Sequence, residues 1–168
     1  MRRWSIPGGL VLFALVLGCH RDVEMLPLVE RTIYVTDRFY DVQALSTDRA
    51  FVIGYGGKVL ETTDGGRNWV PRSSGVDTAL YALHFTDGEH GWMVGQEGVI
   101  LHTADGGKTW QKQESHALNT DSDGIETPLY LFGLDALDNE HAWAVGDRSI
   151  LTSTSDEGGT FTTPVVPI

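Results

Sequence analysis

An all-β fold of the β-propeller type, built of four-stranded blades of which three are recognisable, is predicted by three observations. Stretches of the chain align without gaps: FVIGYGGKVLETTDGGRNW from Phe51, WMVGQEGVILHTADGGKTW from Trp92 and WAVGDRSILTSTSDEGGTF from Trp143. Their shared aspartates, Asp64, Asp105 and Asp156, stand 41 and 51 residues apart, and a period of about 40 to 50 residues suits a four-stranded propeller blade. No segment beyond the N-terminal apolar run sustains a 3.6-residue periodicity, so the units are built of strands. With 41% hydrophobic residues, 21% charged residues and 20 glycines, the composition is that of a folded β-protein rather than a disordered tail.

Taken in order, residues 1–18 read as an export signal: Arg2 and Arg3, an apolar run from Leu10 to Leu17, then Gly18 before Cys19. The run is too short to span a bilayer, which takes about 20 residues. The segment Val16-Leu17-Gly18-Cys19 resembles the lipobox of bacterial lipoproteins. That resemblance implies that the Cys19 sulfur carries a diacylglyceryl group and that Cys19 becomes the new N-terminus. Cys19 is the only cysteine, so no intrachain disulfide can form. Residues 19–37 are then a lipidated tether, and two acyl chains suffice to hold it, each buried CH₂ contributing about 0.8 kcal/mol. The predicted location is exported and lipid-anchored to a bacterial envelope membrane; His20 after the cysteine, by resemblance to enterobacterial sorting, favours the outer membrane.

The blades follow at 38–78, 79–128 and 129–168. Each opens on an alternating strand, YDVQAL from Tyr40, YALHF from Tyr81 and FGLDAL from Phe132, eleven residues before the aligned aromatic. In the first unit, short β-branched or aromatic runs at Ala50–Gly54, Val59–Thr62 and Trp69–Arg72 are separated by Gly, Asp and Asn clusters and read as strands. The last unit extends to Val165–Val166, far enough for a fourth strand. Three blades leave a face uncovered at each end, and self-association of two chains into a six-bladed ring is the expected remedy.

Each unit also carries an octapeptide of the form Ser/Thr-x-Asp-x-Gly-x-Thr-Trp/Phe, with Asn68 in the threonine position of the first copy. Its residues are Thr62, Asp64, Gly66 and Trp69; Thr103, Asp105, Gly107 and Trp110; and Thr154, Asp156, Gly158 and Phe161. A carboxylate at this position accepts backbone N–H groups of the turn, the glycine supplies angles that a Cβ penalises, and the ring buries apolar area. All three roles are structural.

On these residues the chain resembles the Asp-box or BNR repeat proteins, and most closely the photosystem II stability/assembly factor family of cyanobacteria and plants. HGWMVGQEGVILHTADGGKTW (90–110) and EHAWAVGDRSIL (140–151) carry the resemblance, which covers roughly residues 38–168. It implies a non-enzymatic propeller that binds or scaffolds another protein, here tethered to a membrane. Family members are seven-bladed and have an arginine-rich binding face. Arg31, Arg38, Arg49, Arg67, Arg72 and Arg148 form no sequence cluster, so no partner-binding residue is carried over.

A net charge of -11 repels phosphate backbones, which argues against a nucleic-acid partner. Sialidases also carry Asp-boxes, but their arginine triad and Phe/Tyr-Arg-Ile-Pro segment are missing beside Tyr40, Tyr55, Tyr81 and Tyr130. A carbohydrate-binding or degenerate sialidase-like module, using exposed rings such as Tyr55, is the alternative reading. His90 and His141 recur at equivalent positions, which points to strand entry rather than a metal pair. The connector 113–128 breaks the repeat, and within it Asn119, Asp121 and Asp123 alternate before Gly124, like the front half of an EF-hand loop. With Glu126 they form a weak Ca²⁺ hypothesis; otherwise no cofactor is expected, and the connector serves as a partner contact.

Overall fold

Inside each repeat the links between neighbouring strands are short and rich in Gly, Asp and Asn, which favours hairpins over long crossovers. The computed structural model describes Ile33 and residues 36–162. Antiparallel sheets follow one another along the chain, with strands hydrogen-bonded in sequence order. The first contains β1 (Phe39–Ala44), β2 (Ala50–Gly54), β3 (Val59–Thr62) and β4 (Val70–Arg72); the second contains β5 (Leu80–Phe85), β6 (Gly91–Gly95), β7 (Ile100–Thr103) and β8 (Gln111–Gln113). A two-stranded ribbon, β9 (Leu118–Thr120) with β10 (Glu126–Pro128), precedes the third sheet of β11 (Leu131–Ala136), β12 (His141–Gly146) and β13 (Leu151–Ser155).

The third sheet has three strands among the described residues, and the Ser153–Thr162 bridge starts a fourth where the others carry β4 and β8. The expected strand end at Val165–Val166, like the signal and most of the tether, lies outside the described residues. Among the described residues helix is confined to single 3₁₀ turns at Tyr55–Gly57, Gln96–Gly98 and Asp147–Ser149. Among the described residues no helix is long and apolar enough to cross a membrane.

Successive sheets pack through two apolar layers. Phe51, Ile53 and Val59 of the first sheet meet Leu83, Phe85, Met93 and Leu101 of the second. Trp92, Val94 and Ile100 of the second meet Leu131, Ala136, Ala142, Ala144 and Phe161 of the third. Alternation along the strands produces this sorting, since Trp92 and Val94 point one way from β6 and Met93 the other.

At the centre of each layer an aromatic ring receives the next repeat's Asp-box glycine. A Cβ on Gly107 would lie 2.9 Å from Phe51, and one on Gly158 would lie 2.8 Å from Trp92. Both glycines have positive φ, 77° and 86°, so position and backbone angle exclude a side chain together. Phe161 then meets Trp92 edge-on at 5.9 Å, while His102 stacks on it at 4.1 Å.

Polar bridges tie the first sheet to the second. The Asp41 carboxylate accepts from the Leu83 N–H at 2.9 Å, and the Gln43 amide bonds both backbone groups of Phe85. Arg49 donates to Glu61 at 2.8 Å within its own sheet and to the carbonyls of Gly88 and Gly106 in the next. Arg72 donates to the other Glu61 oxygen at 2.7 Å, so a buried carboxylate is held by two guanidinium groups.

Because Trp92 is fully buried between two sheets, Trp92→Ala is expected to lower the unfolding free energy by about 3–5 kcal/mol. Urea denaturation measures it, and a loss below about 1 kcal/mol would show that the ring does not hold the layer together.

Candidate functional site

The first strand of every sheet carries a β-bulge at the same place. Register shifts between Phe39 and Asp41, between Leu80 and Ala82, and between Leu131 and Gly133 leave Tyr40, Tyr81 and Phe132 as the extra residues. A bulge takes a residue out of the ladder and re-aims its side chain. The close backbone approach is opposite glycine each time: a Cβ on Gly54, Gly95 or Gly146 would lie about 2 Å from the carbonyl oxygen of Arg38, Ala79 or Tyr130.

The result is a continuous row of rings across three repeats. Tyr40 and Tyr81 meet edge-on at 5.2 Å, Tyr81 and Phe132 lie tilted at 5.3 Å, and Tyr130 lies 6.3 Å from Tyr81 and 6.2 Å from Phe132. Tyr40 and Phe132 are exposed, and Tyr81 and Tyr130 are half-buried. Tyr55 is also exposed, with the Arg38 guanidinium 6.0 Å over its ring. Burial raises the Tyr81 phenol above its usual value, assisted by Tyr40, Tyr130 and Asp147, so Tyr81 stays uncharged at neutral pH. Exposed rings with polar tips are the composition of protein-contact surfaces.

The Asp-box residues occupy the β3–β4 and β7–β8 turns and the turn after β13. In the second copy the Asp105 carboxylate accepts from the Thr103 hydroxyl at 2.8 Å, the Lys108 and Thr109 N–H groups at 3.0 and 2.9 Å, and the Thr109 hydroxyl at 2.6 Å. The Thr103 hydroxyl in turn accepts from the Gly107 N–H at 2.9 Å. Asp156 with Thr154, Gly158 and Thr160 repeats the pattern. In the first copy the Asn68 amide donates to Asp64 at 2.6 Å in place of the threonine hydroxyl, and Thr62 accepts from Gly66. Phe161 is buried, whereas Trp69 and Trp110 are half-buried.

These bonds hold the carboxylates ionised. The Asn68 backbone N–H is the main cause of the drop of Asp64 from 3.8 to about 2, and the Thr109 hydroxyl is the main cause of the same drop for Asp105. Asp156 is lowered chiefly by the Thr154 hydroxyl. His90 and His141 bond Asp87 and Asp138 three residues earlier, each at 2.9 Å. The same aspartates accept the backbone N–H groups that open β6 and β12.

Among the described residues no group of three or more His, Cys, Asp or Glu side chains is gathered as a metal site requires. In the connector, Asp121 accepts from the Asp123 and Ile125 N–H groups, both at 2.9 Å, and closes the β9–β10 ribbon. The register pairs Asn119 with Thr127 and Thr120 with Glu126, which puts Asn119 and Glu126 on opposite faces. The four residues Asn119, Asp121, Asp123 and Glu126 are therefore not brought together as one set. Cys19 lies outside the described residues.

Two groupings were not foreseen from the sequence. The aromatic row has a signal in the aligned repeats, where Tyr40, Tyr81 and Phe132 share a position. The Arg49–Glu61–Arg72 cluster has none, since its members belong to different strands and turns.

The chain matches the description "Photosynthesis system II assembly factor YCF48" over residues 24–112 and 73–165. No curated protein matches it. Among solved structures it is similar to "YCF48 bound to D1 peptide", with a TM-score of 0.63 and 25% identity over 76% of this chain and 39% of that one. It is also similar to YCF48 from Cyanidioschyzon merolae, with a TM-score of 0.61 and 23% identity over 76% of this chain and 39% of that one. The chain thus spans about two fifths of the length of these structures. Neither favours the carbohydrate-binding or sialidase-like alternative.

The depressed carboxyl values set the sign of an acid effect. The stabilisation from Asp64 and Asp105 is complete above 3.8 and is lost as pH falls through about 2. Asp64→Asn with Asp105→Asn should therefore lower thermal stability at neutral pH and flatten its dependence on pH within that window. A parental slope in the double variant, read from melting temperatures, would show that these carboxylates do not carry it.

Proposed function

The chain belongs to the photosynthesis system II assembly factor YCF48 family, and from that premise we propose that it is a non-enzymatic module that holds an extended segment of a membrane protein during assembly. The observation that carries the reading is its likeness to a YCF48 structure bound to a D1 peptide. The row Tyr40, Tyr81, Tyr130 and Phe132 is the contact surface in this proposal. Its rings supply apolar area at low entropic cost, and its phenols can bond the main chain of an extended segment.

The carboxylates support a binding role over a catalytic one. Asp64, Asp105 and Asp156 are each occupied by turn hydrogen bonds, and Asp87 and Asp138 by their histidines and backbone N–H groups. A carboxylate pinned in the ionised state by several donors is a poor general acid or base near neutral pH.

Fluorescence anisotropy with a labelled D1 peptide tests the reading. Saturable binding is expected, and Tyr40→Ala with Phe132→Ala should weaken it about tenfold or more, as loss of contact aromatics does. Absence of saturable binding up to about 1 mM, the weak end of specific association, would overturn it.

Anchoring through a lipidated Cys19, with export to a bacterial envelope membrane, completes the proposal and rests on the motif at residues 16–19. Cys19→Ser should abolish incorporation of labelled fatty acid and move the protein from the membrane to the soluble fraction. Retention at the membrane without label would refute a lipid anchor.

A further inference from the structure

The face of β12 turned away from the second sheet repeats, position for position, faces that are closed elsewhere in the molecule. Phe51 and Ile53 on β2, and Trp92 and Val94 on β6, are 0% exposed beneath the following repeat. Trp143 and Val145 hold the same positions on β12 and are 41% and 47% exposed. Gly133 and Asp135 pair with Val145 and Trp143 in the register, and Leu151 and Ser153 pair with the same two residues from the other side. Cross-strand partners share a face, so these side chains form one patch around an exposed tryptophan.

Among the described residues the Asp-box turn of the following repeat lies against the ring at that position both times. Gly107 is seated on Phe51 and Gly158 on Trp92. The corresponding turn of the first repeat, Gly65–Gly66, is exposed, and among the described residues a Cβ placed on Gly66 would meet only the ring of Trp69, in its own turn. The third repeat therefore presents the ring and the first presents the turn.

Charge favours the same pairing. Five of the eight lysines and arginines in residues 36–162 (Arg38, Arg49, Lys58, Arg67 and Arg72) lie in the first repeat. Residues 129–162 carry six acidic side chains against Arg148 alone. The first repeat balances those cations with Asp41, Asp48, Glu61, Asp64 and Asp77, so a head-to-tail contact sets an acidic end against a near-neutral one, whereas joining two third repeats sets acid against acid.

We propose that Trp143 docks the first-repeat Asp-box turn of a second copy of this chain. The contact reproduces between molecules the seating of Gly107 on Phe51 and of Gly158 on Trp92, and two such contacts close a pair.

Sedimentation velocity of the purified chain in mild detergent, across micromolar concentrations, tests this. A reversible dimer is expected. Trp143→Glu should raise the dissociation constant about thirtyfold or more, the effect of losing a hot-spot tryptophan, without lowering the melting temperature of the dilute protein. Gly66→Asn should do the same, because asparagine tolerates a positive φ while its side chain fills the seat. Mixing the two variants should restore a dimer, since each supplies the half the other lacks. A parental chain that stays monomeric would overturn the proposal, and so would Gly66→Asn dimerising as the parent does, because two Trp143 faces would then be meeting each other. D1-peptide binding reads the proposed function separately, so failure of one does not imitate failure of the other.

Discussion

The seating of Gly107 on Phe51, and of Gly158 on Trp92, couples each repeat to the one before it, and the other features of the chain are arranged around that contact. Rings of this size remove a large apolar area from water only if the opposing surface is flat enough to lie on them. A turn with glycine at positive φ supplies that surface, and it is held open by bonds within five residues, from Thr103 to Asp105 and from Asp105 to Thr109. The hydrogen bonds of an exposed turn thereby become a condition of packing at the core. Loss of one carboxylate frees a glycine to move, and a moving glycine leaves a tryptophan without a floor.

This locality explains what could be read from the chain. The Asp-box bonds span at most four positions, so three aligned octapeptides predict three turns, and the strands at Ala50–Gly54 and Val59–Thr62 fall where the β-branched runs place them. Trp69 stands just outside β4, which starts at Val70, because its ring serves the turn rather than the ladder. Interactions that join repeats were not legible. Arg49 reaches carbonyls at Gly88 and Gly106, and its repeat positions in the other units are His90 and His141, which bond locally instead. No pattern in one sequence marks that difference.

The connector carries a local pattern that serves a second purpose in its setting. Alternating oxygen side chains around Gly124 look like half of a calcium loop, but Leu118 pairs with Pro128 and the segment closes as a ribbon. Asp121 then performs the same service as Asp64 and Asp105, accepting N–H groups at a tight turn. Short polar side chains beside glycine satisfy a hairpin as readily as they satisfy an ion, and here the strands on either side use them for the hairpin.

Freedom to vary falls to the residues that packing leaves over. The faces of β2 and β6 must suit the next sheet, and the turn carboxylates must stay ionised, so neither can change without cost to the stack. A bulge is free of both demands: Tyr40, Tyr81 and Phe132 stand outside the ladder, opposite glycines that permit the close backbone approach. Exchanging one ring for another there alters what the row can hold while every hydrogen bond of the sheet survives. A repeat family can therefore keep its turns and its buried rings while these positions vary, which is why the Asp-boxes identify the scaffold and the bulged strands have room to differ.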